Sequence, residues 1–331
     1  MTYTAGSLIE ATDYNGFVST SANNVNDIWS TGSSDKGYGQ TAIATVSVGG
    51  TVTATQWATL VNNLASLGNH QGTTITSRTA PVAGNTIAIL TNVATDINSL
   101  TTNRGNAAGS GTQYTTFSGT TSKTTTTGSG TTPWTITFTH TVTFADSNSA
   151  RYFFNAGGRV KWETSKTSTG TTADAEWNDL ANTLVGDIFI TGGTLTQTIA
   201  GTAYTGTTKS GGTGTPTTLA TTTGFYDLTT TAVTIYKQFA DTAPYTGQYI
   251  QINASVNSNS APTVLTLTTT WVDPGGASVG STDQISGGTA TTSPFSTFGT
   301  APATVVTYFP PSTTYLTTAS WGTPTIAASV T

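Results

Sequence analysis

The sequence predicts an α+β protein in which a small N-terminal helical region precedes a mainly antiparallel, jelly-roll-like β-sandwich. Apolar residues recur with helical spacing before Gly105 and with two-residue alternation after it. Thr supplies about a quarter of the 331 residues, and its β-branched side chain suits a pleated, half-buried surface. We therefore expect a helical domain over residues 1–105, a Thr/Gly/Ser-rich segment over 106–132 and a β-sandwich over 133–331.

The composition excludes several classes of protein. Charged residues make up 8% of the chain, with 10 Lys and Arg against 15 Asp and Glu, so we expect no surface that binds nucleic acid. The chain has no Cys, which excludes disulfides and thiol chemistry. No apolar run approaches the roughly 18 residues of a membrane helix. The N-terminus lacks the basic and apolar regions of a secretory signal, so we expect synthesis in the cytoplasm and no membrane insertion.

Three helices are expected in the N-terminal region. Apolar stripes with three- and four-residue spacing cover residues 14–29, 57–67 and 90–100. The expected end signals are Thr12 as the first N-cap, Gly68 as the second C-cap and Asn85 as the third N-cap. Because the third stripe covers barely two heptads, helix packing in a small bundle is preferred to a coiled coil.

An internal repeat links the first two helices. Residues 6–18 align with residues 49–61, so the second copy begins 43 residues after the first. Each copy has a Gly turn, an Ala-Thr pair and an aromatic residue that opens the helix, Tyr14 in one and Trp57 in the other. We expect Thr12 and its counterpart Thr55 to cap these helices and the two helix starts to pack against each other.

The order of motifs resembles that of a known group of proteins. Ala-Thr-Asp-Tyr-Asn at 11–15, Gly-Tyr-Gly-Gln at 37–40, Thr-Ala-Thr-Gln-Trp at 53–57 and His-Gln-Gly at 70–72 are similar to motifs of virion structural proteins from tailed bacteriophages that infect cyanobacteria. Tyr-Phe-Phe-Asn-Ala-Gly-Gly-Arg-Val at 152–160 is similar to a phrase in the same group. The resemblance implies a virion part, with the tail as its expected place and a fibre-like homotrimer as its expected assembly. It implies no catalytic residue.

The remainder of the chain is expected to be mainly β-strand. Residues 134–144 alternate strictly between apolar side chains and Thr, which predicts a strand with one buried face. A turn at 155–158 predicts a hairpin between strands at 152–154 and 160–162. Further strands are expected at 188–190, 195–199, 233–239, 249–256, 263–272 and 305–308, which gives roughly nine strands.

Two segments of this region have other expected structures. Residues 106–132 are either a flexible linker or an extended edge segment, because Gly and Ser favour flexibility whereas Thr favours β-structure. A helix is expected around Trp177, with Thr172 as its N-cap.

No catalytic, cofactor or metal site is predicted. His70 and His140 are not at the spacing of metal ligands, and a core or interface role is preferred for His140. Glu163 with Asp174 or Glu176 is a conceivable acid–base pair for glycosidic cleavage, although solvated surface carboxylates are preferred.

Basic residues are concentrated in one short stretch of the chain. Two interpretations stay open for this stretch: a charged strand face that discourages edge pairing, or a docking patch for an acidic subunit or an anionic glycan. The aromatic residues Trp162, Tyr245, Tyr249 and Trp321 suggest sugar stacking as a further hypothesis, and the alternative for most of them is a place in the core or in a trimer interface. The candidate docking or glycan contacts are Arg151, Arg159, Lys161, Trp162 and Lys166.

We interpret the chain as a non-enzymatic structural component of a phage virion. Its most favoured role is a tail fibre or baseplate-associated subunit that contributes to tail assembly and host attachment. Residues 1–105 would dock to the particle, the expected partners are other tail proteins, copies of the chain and a host-surface glycan, and no cofactor is expected. Two alternatives stay open: a glycan-binding adhesin or carbohydrate-processing tailspike, and a capsid decoration protein.

Overall fold

Helices pack against two antiparallel sheets in the computed structural model, which describes residues 10–19, 24–84, 92–107, 117–122, 134–168, 172–274 and 302–331. The α+β class and the packing of two mainly antiparallel sheets are confirmed. One hydrophobic cluster contains buried residues from the N-terminal helices and from both sheets. In the described residues, no helix combines the length and apolar character needed to span a bilayer. The expected domain boundaries at 105 and 133 stay a prediction.

Four helices form the N-terminal part of the described chain. They are α1 (Ala11–Val18), α2 (Val25–Trp29), α3 (Ala54–Gln71) and α4 (Val93–Thr102). The single helix expected over 14–29 is wrong, because the stripe is divided between α1 and α2. Asn26 contributes to this break, since its side-chain amide donates to the carbonyls of Val18 and Ile43 and so joins the end of α1 to a later segment.

The helix ends differ from the expected ones by a few residues. Glu10 and Thr53, rather than Thr12 and Thr55, are the N-caps of α1 and α3. The C-cap of α3 is Gly72, which has a left-handed φ of 64°, and not Gly68. Gly68 instead allows close packing, because a Cβ there would lie 3.0 Å from the carbonyl oxygen of Thr73. The expected third N-cap at position 85 lies outside the described residues.

The internal repeat corresponds to a physical contact. Tyr14 and Trp57, the equivalent aromatic residues of the two copies, pack edge to face with ring centroids 5.1 Å apart. The capping residues are equivalent as well: Asp13 Oδ2 accepts the Glu10 N–H at 2.9 Å, and Gln56 Oε1 accepts the Thr53 N–H at 2.8 Å. The prediction that the two helix starts pack against each other is therefore confirmed.

Thirteen strands are present in the described residues, more than the roughly nine expected, and they are arranged in two large sheets and one small one. The five-stranded sheet has the order β1-β12-β3-β4-β7, the six-stranded sheet has the order β13-β2-β11-β10-β9-β8, and β5 pairs with β6. Every pair of neighbouring strands is antiparallel. The bounds are β1 Phe117–Ser122, β2 Trp134–Thr143, β3 Arg159–Ser165, β4 Asp187–Ile190, β5 Gln197–Ile199, β6 Thr202–Tyr204, β7 Thr207–Ser210, β8 Thr218–Leu219, β9 Val233–Phe239, β10 Tyr249–Val256, β11 Val264–Asp273, β12 Ala303–Phe309 and β13 Thr325–Val330.

The alternation of side chains builds the sandwich. Along β10 and β11 every second residue is buried, and the intervening residues are half-buried. The two sheets meet face to face at Trp162 of β3, whose Nε1 donates to Thr269 Oγ1 of β11 at 2.8 Å. Their edges also meet, because the Thr207 N–H of β7 donates to the Ala220 carbonyl, next to β8, at 3.2 Å. This contact covers part of the exposed backbone edge.

The hairpin expected over residues 152–162 is wrong in its first strand and right in its second. Residues 152–154 belong to α5 (Ser147–Asn155), and only β3 is a strand. Asp146 caps α5 by accepting the Ser149 N–H at 2.7 Å, and the 3,1 spacing of Ala150, Phe153 and Phe154 buries one helical face. Three consecutive aromatic residues suit a strand locally, but the cap and this spacing favour a helix.

Two further segments complete the fold. Part of the segment at 106–132 is β1, an edge strand of the five-stranded sheet, so the extended alternative holds for residues 117–122. The helix expected around Trp177 is α6 (Thr172–Asp179), which continues into a π-helical turn at Leu180–Leu184. Trp177 stacks on Trp271 of β11 with ring centroids 5.4 Å apart, so this helix is fixed to the six-stranded sheet.

Candidate functional site

A cleft of about 360 Å³ lies where the N-terminal region meets the sandwich. Its walls come from the loop at 34–35, the end of α5, the segment after β4, a short 3₁₀ helix (Phe225–Asp227) and the loop between β10 and β11. A concave site that combines aromatic surface with a few polar groups is the usual form of a ligand site. The lining side chains used in the argument below are Asp35, Asn155, Gln197, Tyr226, Asp227 and Asn259.

Asn155 joins three walls of the cleft. Its Nδ2 donates to the carbonyl oxygen of Lys36 at 2.8 Å and lies 3.2 Å from those of Ser34 and Gly37, which holds the N-terminal loop against α5. Its Oδ1 accepts the Tyr226 hydroxyl at 2.8 Å. The last residue of α5 therefore connects the N-terminal loop to the 3₁₀ helix.

Tyr226 is the main aromatic surface of the cleft. Its ring packs against Phe154 and Phe225, with centroid distances of 6.3 Å and 5.8 Å. Burial raises the pKa of its hydroxyl well above the usual range, although the charge of Arg151 opposes this effect. The Tyr226 hydroxyl is therefore a neutral donor that fixes the ring in place.

The polar lining of the cleft contains two carboxylates and several amide and hydroxyl groups. Asp35 forms an ion pair with Arg104 at 2.5 Å, so its charge is already compensated. Asp227 is exposed, and its Oδ2 accepts the Gly224 N–H at 3.0 Å. Gln197 is 5% exposed; its Nε2 donates to the Phe154 carbonyl, while its Oε1 has no hydrogen-bond partner in the described part of the chain. None of the described lining residues is basic.

The five sequence-predicted contact residues do not form one exposed patch. Lys166 and Trp162 are fully buried, and Arg159 is 5% exposed. Arg151 and Lys161 are partly exposed, but both are engaged inside the chain: Arg151 Nη1 donates to the Lys36 carbonyl at 2.8 Å, and Lys161 Nζ lies 3.2 Å from Asp187 Oδ2. Arg151 lies beside the cleft, where it donates to the same Lys36 carbonyl that Asn155 binds and so supports the loop at 34–37.

Arg159 and Lys166 have specific partners inside the fold. The Arg159 guanidinium lies 4.8 Å from the ring centroids of Tyr204 and Phe309, a cation–π arrangement that fixes the β5–β6 hairpin beside β3. Lys166 forms a fully buried ion pair with Asp174 of α6. These two cations therefore stabilise the packing of neighbouring elements.

The carboxylates considered for acid–base chemistry each interact with a neighbouring group. Glu163 pairs with Lys161, and Asp174 pairs with Lys166. Glu176 Oε1 accepts the backbone N–H groups of Asp241 and Thr242 at 3.2 Å and 3.3 Å. Carboxylate oxygens of Glu176, Asp179 and Asp241 lie within 4.8 Å of one another, but Glu176 already serves as a backbone cap. Glu163, Asp174 and Glu176 therefore each have a local structural partner.

Both histidines are buried. His70 Nε2 lies 3.1 Å from the Ala156 carbonyl oxygen, which ties α3 to the end of α5. His140 is buried on the inner face of β2. The backbone of Thr304 lies near its ring, but neither ring nitrogen forms a hydrogen bond of regular geometry within the described residues. Desolvation lowers the pKa of each histidine to about 4. The preferred core role of His140 agrees with this position.

The aromatic residues suggested for sugar stacking are mostly internal. Trp162, Tyr245 and Trp321 are buried, and Tyr249 is half-buried on the outer face of β10. Sequence reasoning missed Tyr226 and Asp227, whose only signals were an aromatic-acid pair after Gly224 and a Gly pair at 192–193. The comparisons with known proteins found no matching family model, no matching curated protein and no matching solved structure.

Proposed function

We propose that the chain is a non-enzymatic structural subunit of a phage virion, placed in a tail fibre or baseplate, where it contributes to assembly and host attachment. It assembles with other tail proteins and with copies of itself, and a trimer is the preferred state. The observation that carries this proposal is a neutral part of the outer face of the six-stranded sheet, on β2 and β11, which we call the threonine face. It consists of Thr137, Thr139, Thr141, Thr266, Thr268 and Thr270.

The threonine face is regular because two neighbouring strands match in register. Thr139 of β2 lies opposite Thr268 of β11, and the other four residues form equivalent pairs on either side. Asn253 and Ser255 of β10 continue the rows with uncharged polar groups. A second molecule that covers this face removes hydroxyl and methyl groups from water, which avoids the larger cost of desolvating ions.

The described cations are engaged within the chain, which supports the same proposal. Five form ion pairs, two donate to backbone carbonyls and two lie over aromatic rings. In that order they are Lys36, Arg78, Arg104, Lys161 and Lys166, then Arg151 and Lys209, then Arg159 and Lys237. A surface whose charges are already used internally favours assembly through shape and neutral hydrogen bonds.

Immunogold labelling of purified particles tests the virion role. We expect label at the tail or baseplate, with few copies per particle by quantitative mass spectrometry. Label spread over the head in many copies would instead indicate a capsid decoration protein. Absence of the chain from purified particles would contradict the proposal.

Charge substitutions on the threonine face test the proposed assembly. We expect Thr268→Glu to reduce the oligomer to monomers in analytical ultracentrifugation, because it places an uncompensated charge in the interface. Thr221→Glu, at an exposed position in a turn, is the matched control and should leave the oligomer intact. An oligomer that tolerates Thr268→Glu, or a wild-type chain that is monomeric, would contradict this use of the face.

A further inference from the structure

We propose that the cleft binds a neutral carbohydrate, with a sugar ring packed on Tyr226 and its hydroxyl groups directed at Asp227 and Asn259. This inference rests on the host-attachment part of the proposed function and names the class of ligand that the chain would contact. The volume of about 360 Å³ falls in the lower part of the usual range for small-molecule sites, which is roughly 300–1,000 Å³. A ligand of one or two sugar rings suits such a space.

The polar lining suits the hydroxyl groups of a sugar, which both donate and accept hydrogen bonds. The Asn259 Oδ1 already accepts the Thr230 N–H at 2.9 Å, so its Nδ2 is the group that would donate to the ligand. Asp227 and Gln197 instead offer acceptor oxygens. A carboxylate accepts about four hydrogen bonds, and one to Asp227 from the Gly224 N–H leaves capacity for ligand hydroxyl groups. Gln197 adds a buried amide oxygen without a partner among the described residues, and such an acceptor is costly to leave unsatisfied. Because the described lining has no basic residue, anionic ligands gain no ion pair there.

The charge balance favours a neutral donor over a cation. Arg104 already compensates Asp35, which leaves Asp227 as the one unpaired carboxylate of the described lining. Asp227 is exposed, and an ion pair at an exposed carboxylate contributes little. A sugar uses the site more fully, because its hydroxyl edge meets the acceptors while its apolar face packs on the aromatic ring.

Two glycines keep the cleft open beside Tyr226. A Cβ at position 192 would lie 2.7 Å from Tyr226 Cε2, so only Gly allows the ring to pack against this backbone. A Cβ at position 193 would lie 3.1 Å from Asp227 Oδ2 and 3.6 Å from Tyr226 Cδ2. A side chain at 193 would therefore occupy the space between the aromatic surface and the carboxylate.

The walls are held in place before any ligand enters. The Tyr226 hydroxyl is fixed by Asn155 at 2.8 Å and by the Arg151 carbonyl at 3.0 Å. Asn155 also holds the loop at 34–37 through backbone carbonyls. Preorganisation of this kind lowers the entropy cost of binding.

Saturation-transfer NMR with the full chain tests the proposal. The probes are the methyl glycosides of glucose, galactose, mannose and N-acetylglucosamine, with glucosamine as a cationic probe and glucose 6-phosphate as an anionic one. We expect at least one neutral glycoside to receive saturation and to bind more tightly than both charged probes. Binding of none of the neutral glycosides, or stronger binding of a charged probe, would overturn the proposal.

Variants locate the binding. Gly193→Ala should weaken binding by about tenfold or more by filling the cleft, and Asp227→Ala should weaken it by removing the acceptor. Thr325→Ala, exposed on β13, is the matched control and should bind like the wild type. Thermal melting confirms that each variant folds, and equal binding by folded Gly193→Ala would overturn the assignment. The particle-labelling experiment is independent of this test. If the chain is found on virions but binds no neutral sugar, the proposed ligand is wrong and the proposed virion role stands.

Discussion

Two buried neutral histidines predict that the protein loses stability in mild acid. His70 and His140 are both fully buried, and desolvation lowers the pKa of each to about 4 from the ordinary value of 6.5. The Ala156 carbonyl near His70 and the backbone of Thr304 near His140 favour the charged rings, but burial has the larger effect. Protonation therefore requires each ring to become charged inside the core.

The sign and size of the effect follow from proton linkage. The unfolded chain binds the histidine protons at a higher pH than the folded chain, so this part of the stability is complete above about pH 6.5 and falls until about pH 4. A pKa difference of about 2.5 corresponds to about 3 kcal/mol per histidine. Two histidines together approach the lower part of the total stability of a typical domain, about 5–15 kcal/mol.

Urea unfolding followed by Trp fluorescence measures this loss. The free energy of unfolding should fall in both proteins between about pH 7 and pH 4.5. We expect the decrease for His140→Leu to be smaller than that for the wild type by roughly 2–3 kcal/mol. Carboxylates titrate in both proteins, so the difference isolates the histidine. At pH 7 the variant should be at least as stable, because it removes buried ring nitrogens that form no hydrogen bond of regular geometry within the described residues. Parallel pH profiles for the two proteins would refute the reasoning.

Three further predictions concern single contacts and are measured by denaturant unfolding. Lys166→Met should cost about 3–5 kcal/mol because it leaves Asp174 charged and buried, whereas Lys166→Met combined with Asp174→Leu should recover most of that loss. Thr53→Ala should cost about 1 kcal/mol by removing the N-cap of α3; a cost near zero would contradict the cap. Trp162→Phe should cost at least about 1 kcal/mol and leave Thr269 without its donor, so Trp162→Phe and Thr269→Val should be less than additive.

The long strands β2, β10 and β11 were predictable because their pattern is local, whereas the short strands β6, β7 and β8 and the C-terminal strand β13 were not expected. In β2, β10 and β11 the side chains alternate between the core and the outer face, and the sequence shows this alternation directly. The repeat at 6–18 and 49–61 was informative for the same reason, since equivalent residues occupy equivalent positions. Tyr14 and Trp57 then meet because two similar helix starts pack together.

The roles of the basic residues were not predictable because their partners are distant in the chain. Arg159 lies against Phe309, which is 150 residues away, and no local pattern reveals that contact. The cleft has the same property: Asn155, Tyr226 and Asp35 come from three separate elements. The alternation of side chains identifies which face of a strand is buried. It does not show which residues from distant parts of the chain contact that strand.

The small number of charges affects how the surface of the protein avoids unwanted association. A chain with few ions has little electrostatic repulsion to keep its surfaces apart, so it resists unwanted association only if its sheet edges are covered. The contact between β7 and the segment beside β8 covers one such edge. The assembly that we propose uses the threonine face on β2 and β11, whereas Tyr226 and Asp227 line a separate cleft. The proposed assembly and the proposed ligand binding therefore use different surfaces, so each can be tested by substitution without affecting the other.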